Sequence, residues 1–357
     1  MRSARTRIVL ARLVGLAALL MLVIPAGSQA FSKAIWGQVY RDGVNQFPIY
    51  RQLGVSIFEV DLYWNQAAPT RPHDPTDPAD PAYRWPAEIQ QAITQARRFH
   101  MRVLVQIINA PTWANGGHAA NYAPRHPVDF AAFATAAARR YRSVHLWMIW
   151  GEPTRAPNFE PLVPAPSVQR RLDHAQQAAP HLYARILDAA YGTLKKVSPH
   201  NLVIGGCTYT LGAIDTQQWI ENLRLPDGRP PRMDMYAHNP FTAETPSFTA
   251  PPSPFGEVQF SDLHELAGWI DRYLHPRLPI FLSEFTIPTA PDQEFNFYVS
   301  PSTAAEWITD ALRLARHWTR IYALGYINVY DDPPITYGGL MTQNGVRKPG
   351  FEAFARG

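Results

Sequence analysis

The 357-residue chain carries 33 Lys and Arg against 29 Asp and Glu, and its whole surplus of +4 lies in Arg2, Arg5, Arg7 and Arg12. Residues 31–357 are therefore balanced at 29 to 29, which gives no electrostatic ground for binding nucleic acid or an anionic membrane surface. Cys207 is the one cysteine and excludes an intramolecular disulfide; the 12 histidines form no H-x-H or H-E-x-x-H pattern, so no metal centre and no cofactor are expected.

Residues 1–30 read as an export signal. Four arginines precede an apolar stretch over 13–24, followed by Pro25-Ala26-Gly27-Ser28-Gln29-Ala30, small residues at a cleavage site. The apolar stretch falls short of the about 20 residues a membrane span needs, and no nearby cysteine could accept a lipid. The expected location of the mature chain is secreted or periplasmic, without a stable membrane anchor. Cys207 itself is expected as a buried small hydrophobe near a strand end.

Residues 31–357 suit one large barrel domain, which takes about 250 residues plus insertions. Apolar, β-rich runs recur at 34–39, 56–60, 102–107, 145–150, 201–205, 233–237, 279–283 and 321–329. Between them lie helical periodicities: Ile89, Ala92, Ile93, Ala96 and Phe99; Phe130, Phe133, Ala134, Ala137 and Tyr141; Ile186, Leu187, Ala190, Tyr191 and Leu194; Leu263, Leu266, Ile270 and Tyr273; and Trp307, Ile308, Ala311, Leu312 and Ala315. Eight strands in strand–helix alternation predict a closed parallel (β/α)8 TIM barrel. An open doubly wound sheet is disfavoured because no glycine-rich phosphate loop follows the first strand. Prolines cluster at 69–86, 153–180 and 246–254, after strands 2, 4 and 6, and predict long stiffened loops on the face where barrel active sites sit.

Two of the strands end on a carboxylate. Trp147-Met148-Ile149-Trp150-Gly151-Glu152-Pro153 and Phe281-Leu282-Ser283-Glu284-Phe285 each run from an apolar core into a glutamate. A buried strand has no packing use for a carboxylate, so each must be solvated, paired or chemically employed. A strand-end ion pair with an arginine is the bland alternative for either one alone. Two glutamates from separate strands are what glycosidic bond cleavage uses, one as acid/base and one as nucleophile.

Around Trp150-Gly151-Glu152-Pro153 the chain resembles the clan A glycoside hydrolases, whose fourth strand ends in Asn-Glu-Pro and whose seventh ends on the nucleophile. Pro111-Thr112-Trp113-Ala114-Asn115-Gly116-Gly117 is similar to the loop after strand 3 in xylosidase-like and cellulase-like members. Tyr236-Ala237-His238-Asn239-Pro240 resembles their strand 6 motif, and Tyr337-Gly338-Gly339-Leu340 through Lys348-Pro349-Gly350-Phe351 their closing segment. The resemblance implies Glu152 as acid/base, with a raised pKa, and Glu284 as an ionised nucleophile held by hydrogen bonds. It also implies carboxyls about 5–5.5 Å apart, as in retaining enzymes, and an oligo- or polysaccharide or simple glycoside as substrate. Hydrolysis and transglycosylation would use the same residues, and a non-catalytic carbohydrate-binding barrel is the rival of another class.

One position departs from the pattern. Gly151 stands where the clan usually has the asparagine that hydrogen-bonds the sugar 2-hydroxyl. Asn109, Asn115 and Asn158 are candidates to replace that contact. Trp64, Trp113 and Tyr330 are candidate sugar-stacking platforms, with rim packing as the alternative. His238 is a candidate to bond a sugar hydroxyl or orient the nucleophile, with a structural role as the even alternative.

Overall fold

The computed structural model describes residues 31–165 and 171–357; the export reading falls on 1–30, outside the described residues. Eight parallel strands close into a barrel in chain order: β1 (Ser32–Trp36), β2 (Ile57–Tyr63), β3 (Arg102–Ile108), β4 (Leu146–Ile149), β5 (Leu202–Tyr209), β6 (Met235–Asn239), β7 (Ile280–Phe285) and β8 (Ile321–Tyr326). β1 pairs with β2 on one side and β8 on the other, which shuts the ring and leaves the barrel sheet without an edge. Each expected strand is present, displaced by a few residues at most.

A helix follows each strand: α1 (Phe47–Gln52), α2 (Ala87–Arg98), α3 (Pro127–Arg140), α4 (Ala178–Val197), α5 (Thr216–Glu221), α6 (Leu263–Tyr273), α7 (Pro301–His317) and α8 (Pro349–Arg356). Five of these eight helices, α2, α3, α4, α6 and α7, are those read from their apolar period in the sequence. α1 and α5 span six residues each, too short for a period to be recognised.

Alternation along the strands builds two apolar layers. Ile57, Leu104, Met148, Ile204, Met235 and Phe281 fill the lower barrel, while Phe58, Val105, Trp147, Val203 and Leu282 pack outward against the helices. At the foot of the barrel, the Lys33 ammonium donates to the carbonyls of Phe354, Ala355 and Gly357. It thereby satisfies carbonyls at the end of α8 and ties that helix to β1.

Two strands carry an extra residue where they approach the mouth. Between the pairs Leu282–Leu324 and Phe285–Tyr326, β7 advances three residues against two on β8, so Ser283 and Glu284 together face Gly325. A side chain at 325 would meet the Ser283 carbonyl at 2.1 Å and Glu59 Oε1 at 2.5 Å, which is why glycine stands there. β5 is irregular in the same way around Cys207, which adopts φ +48° and buries its thiol in the barrel.

The proline-rich stretch after β2 packs inward. Tyr83 stacks on Trp85 at 4.7 Å, Trp85 lies over Phe133 of α3 at 5.7 Å, and both polar tips bond proline carbonyls, Pro75 and Pro78. No helix among the described residues is long and apolar enough to cross a membrane.

Candidate active site

β4 ends at Ile149, and the next three residues turn sharply. Trp150 and Glu152 both adopt left-handed backbone, φ +64° and +44°, on either side of Gly151. Non-glycine residues enter this region only under tertiary constraint, and such strain concentrates at functional positions. The Trp150 indole anchors the turn by donating to the Asn158 carbonyl at 2.8 Å and packing edge-on against Phe159.

The turn delivers the Glu152 carboxyl, 6% exposed as a residue, to the floor of the mouth. Its Oε1 accepts from Asn239 Nδ2 at 2.9 Å; its Oε2 accepts from Asn158 Nδ2 at 3.1 Å and Arg155 Nη1 at 3.3 Å. Arg155 also pairs with Glu294 at 3.6 Å and lies 4.8 Å over the Tyr209 ring. Burial raises the Glu152 pKa above the usual carboxylate value, opposed by the Asn239 hydrogen bond and the Arg155 charge.

Glu284, carried by the β7 bulge, has a different setting. No described side chain hydrogen-bonds its carboxyl, so the hydrogen bonds expected to hold it ionised are not supplied by its neighbours. Burial pushes its pKa well up, and the charges of Glu152, Glu59 and Asp61 push the same way against Arg155.

Two further carboxyls stand on β2. Glu59, 1% exposed, accepts a hydrogen bond from the Ser283 hydroxyl at 2.8 Å, and Ser283 in turn accepts from Trp36 Nε1 at 3.2 Å. Its other oxygen is buried without a partner, and burial holds its pKa well above the usual range. Two residues on, Asp61 accepts from the Tyr63 hydroxyl at 3.1 Å, and burial raises its pKa to about 6. Among the described residues no arginine or lysine pairs with either, and burial holds each against ionisation.

Two cavities meet on these groups. One, about 430 Å³, runs from Glu284 past Trp36 and Asn328 to Arg41, Tyr330 and Asp332. The other, about 310 Å³, joins Glu284 to Glu152, Gly151, Asn109, Asn121 and Asn158. Asp61, Gln106 and Glu284 line both, so the two form one cleft across the barrel's C-terminal mouth. Among the described residues, no group of three or more His, Cys, Asp or Glu is arranged to hold a metal ion.

The structure brings some of the singled-out residues together and leaves others apart. Glu152, Glu284, Asn109, Asn158 and Tyr330 line the cleft. Tyr330 donates to Gln46 Oε1 at 2.6 Å, and Arg41 covers one face of its ring at 3.7 Å. Trp64 is fully buried, stacked on Phe133 at 5.6 Å, and belongs to the packing between barrel and helices. Trp113 packs edge-on against Trp64 and donates to the Ala68 carbonyl at 2.8 Å, away from the cleft lining. Asn115 braces its own loop: its amide donates to the Ala119 carbonyl at 2.8 Å and accepts from the His118 N–H at 3.0 Å.

His238 has both ring nitrogens engaged, with Thr208 Oγ1 and the Val258 carbonyl, each at 2.8 Å. Burial lowers its pKa to about 4, so it is neutral and serves to lock β6 to its neighbours. Three of these four are interior groups that short motifs cannot distinguish from rim groups, because both lie close to the same strand ends.

Sequence reasoning passed over Arg155, Asn239, Glu59, Asp61 and Gln106. The alternation Ile57–Glu59–Asp61 within an otherwise apolar strand was the available signal for the two β2 carboxyls. Asn239 sits inside the Tyr236–Pro240 motif, one residue past the histidine that drew attention.

No protein-family model matches the chain, and no curated protein matches it. Its fold does match solved structures. A family 39 glycoside hydrolase from the gut symbiont Bacteroides cellulosilyticus WH2 superposes with a TM-score of 0.62 at 16% identity, covering 92% of this chain and 63% of that one. A glucosidase from Croceicoccus marinus gives 0.65 at 14% identity, covering 92% and 67%. A monomeric beta-xylosidase from Caulobacter crescentus CB15 gives 0.61 at 18% identity, covering 91% and 67%. The chain thus spans about two-thirds of the length of these structures, and shares with them the (β/α)8 barrel fold.

Proposed function

We propose that this chain is an exported retaining glycoside hydrolase working by double displacement. The observation that carries the reading is the joining of Glu152 and Glu284, from the ends of β4 and β7, in one cavity at the mouth of the barrel.

In the first half-reaction a Glu284 oxygen attacks the anomeric carbon, and Glu152 gives its proton to the departing glycosidic oxygen. Water then attacks the glycosyl-enzyme ester, Glu152 takes its proton, and Glu284 leaves as carboxylate. One proton shared between two buried carboxyls suits this cycle, because ionising both at once is disfavoured. The donors on Glu152 stabilise its charge in the second half, when it acts as base. Glu284 has no such donors from the described side chains, so substrate hydroxyls would supply the hydrogen bonds that favour its nucleophilic form.

The fold similarity to family 39 glycoside hydrolases and to a beta-xylosidase supports a neutral glycoside as substrate. The deciding experiment is proton NMR of the first product released from a panel of aryl glycosides. A first product with the substrate's anomeric configuration supports the mechanism, and an inverted one overturns it. Sugar binding without turnover would make the chain a carbohydrate-binding barrel. Export is tested by whether the mature protein outside the cytoplasm begins near residue 31.

A further inference from the structure

We infer that Gln106 is a specificity-determining residue of this site, its amide oxygen accepting a hydrogen bond from the sugar hydroxyl next to the anomeric carbon. The inference rests on the glycosidase reading.

Gln106 lies on the inward face of β3, 5% exposed, and its side chain takes the space beside Gly151. A Cβ at 151 would come within 2.6 Å of Gln106 Oε1. The Gly151 backbone does not need glycine for its conformation, since only its neighbours Trp150 and Glu152 are left-handed. Glycine at 151 is therefore the room Gln106 occupies. The polar group missing from the end of β4 is replaced by one from the adjacent strand.

The amide has a defined direction. Its Nε2 points at two sulfurs, Met148 Sδ at 3.0 Å and Cys207 Sγ at 3.9 Å. Cys207 in turn donates to Asn239 Oδ1 at 4.0 Å, and Asn239 donates to Glu152. Sulfur accepts weakly, but these contacts take up the amino side of the amide. Oε1 receives no hydrogen bond from any described residue, and Gln106 lines the cavity on both sides of Glu284. An acceptor left open in a cleft is matched by a ligand donor.

The identity of that donor follows from sugar chemistry. Glu152 and Glu284 bracket the anomeric carbon, whose two ring neighbours are the ring oxygen, which has no proton to give, and carbon 2. The hydroxyl on carbon 2 is the sugar donor nearest the anomeric carbon, and Gln106 shares the cavity of the carboxyl pair, so this hydroxyl is the one assigned to it. Bonds to this hydroxyl strengthen as positive charge develops on the ring, so the contact acts on the transition state.

The test compares aryl glycosides bearing a 2-hydroxyl with their 2-deoxy analogues, each kcat/KM divided by the spontaneous hydrolysis rate of that substrate. Gln106→Met keeps the length of the side chain and removes its polar end. It is expected to lower kcat/KM on the 2-hydroxy substrate about tenfold or more, and on the 2-deoxy substrate less than about threefold. Gly151→Ala displaces the amide by steric contact and is expected to reproduce the selective loss, which keeps the test decisive if Gln106→Met does not fold. Equal losses on both substrates, or no loss on either, would overturn the assignment while leaving the glycosidase reading intact. A wild-type protein that hydrolyses no aryl glycoside overturns both.

Discussion

The lower and upper halves of the barrel interior are built by the same strands yet differ in kind. Below, the inward positions are Ile57 on β2, Leu104 on β3 and Phe281 on β7, a dry apolar plug. One strand period higher, the same faces present Glu59, Gln106 and Ser283, and another step up on β2 comes Asp61. A rise of about 7 Å per two residues separates packing from chemistry. The lower layer gains stability from every buried carbon. The upper layer gives some of it up, because Glu59 and Asp61 each bury an oxygen without a partner and, among the described residues, with no cation paired to them.

The contrast can be broken at either level, and the largest effect is expected at the top. Glu284→Ala should reduce turnover by about 10⁴-fold or more, since no glycosyl-enzyme can form, while leaving the melting temperature unchanged or raised by loss of a buried charge. Steady-state kinetics beside calorimetry checks both halves of that statement. At the bottom the pattern inverts. Phe281→Ala should cost about 3–5 kcal/mol by chemical denaturation yet leave kcat per folded molecule near wild type.

A smaller effect sharpens the boundary between the layers. Gly151→Asn would bring a side chain within 2.6 Å of the Gln106 amide, and its kcat/KM should fall about tenfold rather than rise. A gain in rate would mean that the Gln106 side chain moves aside without consequence.

The smallest effect concerns pH. Burial raises the folded-state pKa values of Glu59 and Asp61, the latter to about 6, above ordinary values near 4. Between those values the folded chain binds more protons than the unfolded one, so stability is full below about pH 4 and declines as pH rises through the folded values. The melting temperature should therefore fall from pH 5 to pH 8. Glu59→Gln, neutral at every pH, should flatten that fall and melt a few degrees higher at pH 8. A flat wild-type profile would show that these carboxyls are not held neutral.

The strand–helix alternation, the strand spans and the two strand-end glutamates were legible in the residues alone, because local period and the cost of a carboxylate in an apolar run are properties of short segments. The long helices α2, α3, α4, α6 and α7 were legible for the same reason. What surrounds each glutamate was not. Glu152 draws Asn239 from β6 and Arg155 and Asn158 from its own loop, Glu284 faces β2, and Gln106 fills a gap one strand away. His238, Trp64 and Asn115 share strand ends and loops with the cleft, yet the β5 irregularity, the packing of α3 and a local turn direct them inward. Those outcomes depend on register, bulges and closure of the ring. These bring residues far apart in sequence, such as Glu152 and Asn239 at a separation of 87 positions, within hydrogen-bonding distance, which no local window of sequence can contain.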